Sequence, residues 1–102
     1  EPQEIPEVGG YRYIMSSMTE VLYVGMTADL QKRVWEHKEK LLEGSFTSKY
    51  NCTKLLYFEC FSDLDVAYKR ECQIKKWSRN KKFKLVDSSN PLHLDLAFTW
   101  FE

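Results

Sequence analysis

The amino-acid sequence predicts an α+β domain, on three observations. Two runs with strand-like alternation, 11–16 and 20–25, are separated by the polar Ser16-Ser17-Met18-Thr19. A helical pattern carrying Arg33 and His37 follows directly. An apolar run from Lys54 to Phe61 then precedes a second helical pattern. At 102 residues the chain makes one domain, because two cores of half that size would each be too small to stand alone.

Taken in order, residues 1–10 hold two prolines and the pair Gly9-Gly10 without periodicity, and are expected as a flexible tail before a domain over 11–102. In the first strand Tyr11, Tyr13 and Met15 share one side, and Arg12 and Ile14 the other. In the second, Val21, Tyr23 and Gly25 alternate with Leu22 and Val24. Thr27 or Asp29 can cap a helix running to about Glu43, with Gly44 as its stop. Its stripe is Leu30, Val34, Leu41 and Leu42, and Arg33 and His37 stack beside it, one turn apart.

A polar loop is expected from Ser45 to Asn51, then a third strand over 54–61. Ser62 with Asp65 resembles an acidic capping box opening a helix through Trp77. Its stripe would be Leu64, Ala67, Tyr68 and Ile74, and at about 100° per residue Glu71 falls in the middle of it. A third helix, about Lys81 to Asp87, ends at the turn Ser88-Ser89-Asn90-Pro91. The apolar segment from Leu92 onward is expected to dock on the core.

Composition excludes several classes. The apolar share of 43% and aromatic share of 15% suit a packed fold. No apolar run approaches the roughly 18 residues that span a bilayer. The opening residues do not resemble a secretion signal, so an intracellular, cytoplasmic protein without membrane association is expected. Cys52, Cys60 and Cys72 are an odd set without a close pair, which reads as reduced and packed rather than as a disulfide framework or zinc site. Net charge is zero, yet Lys69–Lys84 carries eight basic residues and one acid, +7 against −7 elsewhere. Such a cluster is either a solvated helix face or a local field that a phosphate backbone would feel.

Glu71 is the sharpest candidate for chemistry. A lone carboxylate turned inward costs several kcal/mol unless it is paired or bound to a cation. A salt bridge to Lys75, one turn on, is one solution. A hard metal ion is the other, since magnesium commonly takes one or two protein carboxylates and fills its shell with water and phosphate oxygens. Tyr13 and Tyr23 can be a cross-strand packing pair, and Arg33 and His37 can be exposed helix residues. If the helix crosses the hairpin, all five can face one concavity. Phosphoryl chemistry needs such a set: a cation on the phosphate, a base for water and a metal on the leaving oxygen.

Tyr11-Arg12-Tyr13, Tyr23-Val24-Gly25, Arg33 with His37, Glu71 and Asn90 together resemble the GIY-YIG nuclease family in order and spacing, over about residues 10–92. The likeness is to the short stand-alone bacterial members. It implies a small three-stranded antiparallel sheet flanked by helices, and hydrolysis of DNA phosphodiesters with one divalent ion, Mg2+ or Mn2+. Tyr23 or Tyr13 would orient or activate the attacking water. Arg33 would stabilise charge on the phosphate, and His37 would exchange a proton or contact the phosphate. Glu71 would bind the metal and Asn90 would brace the site. Gly25 would leave room where a side chain would crowd the site, or simply end the strand.

Two departures stand out. Tyr11 and Arg12 replace the glycine and isoleucine of the first triplet, and Met26 stands where several relatives place a lysine. The resemblance therefore implies a DNA endonuclease of structure-directed or weakly sequence-selective, repair or recombination type. The alternative is a poorly cutting or inactive nucleic-acid-binding module. Lys75, Lys76, Arg79, Lys81 and Lys82 would supply salt-sensitive backbone contacts. Any sequence selectivity would come from a protein partner, because no separate base-reading element is visible.

Overall fold

A computed structural model describes residues 9–42 and 44–101; most of the expected tail, and Glu43, lie outside the described residues. The elements are β1 (Gly10–Ser16), β2 (Leu22–Thr27), α1 (Leu30–Lys38), α2 (Phe46–Tyr50), β3 (Lys54–Phe61), α3 (Leu64–Lys75) and α4 (Arg79–Asp87). The three strands form one antiparallel sheet in the order β2-β1-β3. The α+β class and the three-stranded sheet are as expected.

Strand parity divides the core as the sequence predicts. Tyr11, Tyr13 and Met15 share one face with Leu30 and Val34 of α1, Cys52, Leu55 and Ala97, and Val21 and Tyr23 pack on that side. Ile14 and Val24 lie on the other face with Leu56, Ile74 and Val86, under α3 and α4. Leu55 and Leu56 can face opposite ways while Tyr57 joins Leu56 because Ile14 pairs with Tyr57 and Met15 with Leu55, a bulge that leaves Leu56 unpaired.

The C-terminal segment seals that irregularity. Asn90 Nδ2 donates to the carbonyls of Leu56 (3.0 Å) and Leu94 (2.8 Å), and its Oδ1 accepts from Leu94 N–H. Asp95 Oδ1 accepts from Leu55 N–H, and Leu96 N–H donates to Leu55 O. The segment docks as expected, through Leu96, Ala97 and Trp100.

Several boundaries differ from the sequence reading. β1 begins at Gly10, and the two glycines are packed rather than linker: a Cβ on Gly9 would lie 2.3 Å from Ser62 O, and one on Gly10 would lie 3.1 Å from Ala67 Cβ. α1 stops at Lys38, not near Glu43. Lys40 takes φ 55°, its N–H donates to His37 O, and Leu41 N–H donates to Glu36 O, a Schellman closure without its usual glycine. Leu41 is thereby exposed instead of in the stripe.

The expected polar loop contains α2, capped by Ser45 at its start and by Asn51, φ 58°, at its end. Asp63 caps α3 in place of Ser62, through Val66 N–H, and Ser78 caps α4, which starts before Lys81. The inward line of α3 is Ala67, Glu71 and Ile74, whereas Leu64 and Tyr68 are exposed. Ala67 brings the helix close to Gly10, and Tyr68, about 100° round from it, turns to solvent. All three thiols are free, but only Cys52 is buried and Cys60 is exposed. Among the described residues no helix is long and apolar enough to cross a membrane.

Candidate active site

A groove opens where α1 and α3 both reach the β2 edge, and of the candidate residues Arg33 alone lines it. About 370 Å³ in volume, it is lined by Met26 and Thr27 of β2, Lys32, Arg33 and Glu36 of α1, and Leu64 of α3. Met26 is thus a wall of the groove rather than a cation beside the tyrosines.

Tyr13 is completely buried and crosses its ladder partner Gly25. Its phenol oxygen is 2.8 Å from His37 Nε2. His37 Nδ1 is 2.8 Å from Thr47 Oγ1, which in turn lies 3.2 Å from Ser45 Oγ. The rings of Tyr13, Tyr23 and His37 pack mutually, with centroids 5.5 to 6.3 Å apart.

Electrostatics fixes the protons in this chain. Burial, then the neighbouring Tyr23, pushes the Tyr13 phenol well above its ordinary range, so it keeps its hydrogen. Burial and the adjacent Arg33 pull His37 down to about 4, so the imidazole is neutral near pH 7. Arg33 offers a donor to the same phenol oxygen, and the phenol's own proton is therefore directed at Nε2. The second ring nitrogen then carries its hydrogen toward Thr47. Arg33 also pairs with Glu36 at 3.1 Å and remains partly open to solvent.

Glu71 is buried on the sheet-facing side of α3, as its helical position predicts. Its charge acts through space on the Tyr13 phenol, adding the smallest contribution to the raised pKa. Lys75 Nζ lies 2.6 Å from Glu71 Oε1, and the ammonium also senses Tyr23. The salt bridge that sequence offered as an alternative is therefore made. Among the described residues no three or more His, Cys, Asp or Glu side chains gather as a metal cage. A hard ion that keeps mostly water and phosphate ligands needs only one such carboxylate, and would compete for it with Lys75.

Of the six candidates, Tyr13, Tyr23, Arg33 and His37 come together, and Glu71 is linked to them electrostatically, through its effect on Tyr13 and through Lys75. Asn90 does not join them: its side chain is spent on backbone groups of Leu56 and Leu94, under the opposite core. Arg12 also faces away, fully buried beside Glu59 at 2.9 Å, which Arg70 and Tyr57 share. Thr47 escaped the sequence reading. Ten residues separate it from His37 across a segment read as loop, and no local pattern joins them; Ser45 as a helix cap was the available signal.

The basic residues sit around the α3–α4 corner. Lys75, Lys76, Arg79 and Lys81 are exposed and Lys82 is half-buried. Lys81 lies over the Trp77 ring at 4.5 Å and Arg79 over Phe83 at 4.8 Å. These aromatic seats fix where the charges project.

The chain is similar to known proteins in both sequence and fold. Residues 9–84 match the family model of the GIY-YIG catalytic domain. A UPF0213 protein of Syntrophus aciditrophicus is 36% identical over 81 residues, 79% of this chain and 92% of that protein. A UPF0213 protein of Clostridium perfringens is 38% identical over 80 residues, 78% of this chain and 85% of its own. The solution NMR structure of the UPF0213 protein BH0048 from Bacillus halodurans has the same fold, with a TM-score of 0.54 at 24% identity, covering 88% of this chain and 96% of that one. By its matching sequence and its architecture, the chain belongs to the GIY-YIG family of nuclease catalytic domains, in the company of the short UPF0213 proteins.

Proposed function

We propose that the protein is a divalent-metal-dependent DNA endonuclease that hydrolyses phosphodiester bonds at branched, nicked or damaged sites. The observation that carries this reading is the Tyr13–His37 contact at 2.8 Å, with Arg33 against the same phenol and the Glu71 charge acting on it.

Glu71 would hold a Mg2+ or Mn2+ ion, which when bound supplies charge stabilisation at the leaving oxygen. Tyr13 orients the attacking water; it passes its own proton to neutral His37 Nε2 and takes one from the water. The hydroxide formed attacks phosphorus, and the P–O bond to the leaving oxygen breaks. Arg33, open to the groove, balances charge on the phosphoryl oxygens. Tyr23 packs Tyr13 and His37 into register, and Asn90 braces β3 behind them. The raised phenol pKa makes the proton transfer uphill, so turnover is slow. Lys75, Lys76, Arg79, Lys81 and Lys82 contact the DNA backbone, giving sequence-tolerant binding. Leu92, Leu94 and Phe98, all exposed, are available to a protein partner that would direct the enzyme.

One observation favours the second reading, a binding module that cuts poorly: Lys75 already neutralises Glu71. Cleavage of nicked, flapped and single-stranded DNA with Mg2+ or Mn2+ separates the two. Wild-type protein is expected to cut, and Glu71→Ala to lose at least about 100-fold in turnover with DNA binding retained. Equal turnover in both would overturn the proposal, and binding without cutting by the wild type would establish the second reading.

A further inference from the structure

Helix α2 presents two faces with different occupations. Inward, Thr47 is buried against His37. Outward, Phe46 and Tyr50, one turn apart, are 44% and 43% exposed. Phe46 stacks on Tyr23 with centroids 6.1 Å apart and planes at 28°, and Tyr50 follows at 4.7 Å. Tyr23 itself lies 5.6 Å from His37. A line of rings thus runs from the catalytic cluster into water. Lys49 sits at its outer end, its Nζ 5.4 Å from the Tyr50 ring centre.

Packing accounts for only part of this arrangement: Phe46 and Tyr50 are each a little over half buried, and the rest of their surface stays in solvent. What the line offers is an accessible π-face beside a phosphate-sized cation. Nucleobases stack on such faces regardless of sequence, and an ammonium nearby meets the adjoining phosphate.

We propose that Phe46 and Tyr50 form a base-stacking subsite, on which a nucleobase next to the scissile phosphate lies unstacked from its own neighbours. The inference rests on the nuclease reading for the presence of a polynucleotide in the groove, and adds to it a criterion for substrate choice. A base inside a duplex has both faces covered, so the subsite is filled at unpaired or extruded nucleotides and stays empty on regular duplex. Lys49 contacts the phosphate on the outer side of that base.

The test uses the intact protein with Glu71→Gln in the background to prevent cutting, and short oligonucleotides carrying 2-aminopurine, either single-stranded or in a fully paired duplex. Stacking is expected to quench the fluorophore in the single strand at one position and not in the duplex. Phe46→Ala/Tyr50→Ala should abolish that quenching and weaken single-strand binding roughly 10-fold, with duplex binding unchanged. Tyr50→Ala alone, at an outer residue whose loss spares Tyr23, keeps the test valid if the double variant fails to fold, and Tyr50→Trp should restore quenching. Unaltered quenching and affinity in Tyr50→Ala and in a folded double variant would overturn the subsite and leave the nuclease reading standing. Failure of the wild type to bind or cut any oligonucleotide would overturn both.

Discussion

Gly25 faces Tyr13 across the β1–β2 ladder, and a Cβ at Gly25 would stand 2.6 Å from both Cζ and Oη of that tyrosine. The phenol reaches His37 only because this strand position carries no side chain. Gly25→Ala should therefore push the ring off its partner and cost about 1–3 kcal/mol of stability through overpacking. Urea denaturation measures the loss, and DNA cleavage should fall far more than the folded fraction does.

Thr47 fixes the direction in which His37 carries its hydrogen. Thr47→Val keeps the shape and removes the acceptor, leaving a buried N–H unpaired at a cost of about 1–3 kcal/mol. Cleavage is expected to drop about 10-fold or more, as the imidazole loses its fixed tautomer, while DNA affinity stays the same. Thr47→Ser should recover most of the rate, which a purely volumetric role would not allow.

The two histidines should titrate on opposite sides of the ordinary value, observable by NMR of their ring protons. For His37 burial favours the neutral form, and the unfolded chain takes up the proton first. Its contribution to stability is full above about pH 6.5 and is lost as pH falls toward 4, roughly 3 kcal/mol in all. His37→Gln should flatten that part of the profile.

His93 has the reverse sign. Asp87, at 2.6 Å, and Glu20 hold its proton, raising its pKa. Its stabilisation is present below about pH 6.5 and disappears as pH rises through the folded value. Tm differences between wild type and His93→Gln should shrink from about pH 5.5 to pH 8.5.

The logarithm of DNA affinity should fall linearly with the logarithm of salt concentration. Lys76→Ala and Lys81→Ala should each flatten that slope by about one unit and weaken binding evenly across sequences. Loss of affinity for one sequence only would mean that these residues read bases.

Much of this was legible because it is periodic. Alternation placed Tyr13 and Tyr23 on one sheet face and Ile14 on the other, and the helical period alone turned Glu71 inward. The harder features depend on tertiary geometry. Nothing local announces that Lys40 will adopt a left-handed backbone and end α1 early. A five-residue helix such as α2 is too short for its spacing to register, so Thr47 and the outward aromatics were lost with it. Asn90 was read by position in a pattern, whereas its role follows from a bulge at Leu56 that strand alternation cannot reveal.

That bulge has a consequence for how copies of the protein behave in a crowded solution. An outer strand normally offers a template on which other chains can polymerise. At Leu55 and Leu56 the hydrogen-bonding groups are already claimed by Asn90, Asp95 and Leu96. The segment that follows α4 thus acts as a guard against ribbon-like self-association along β3.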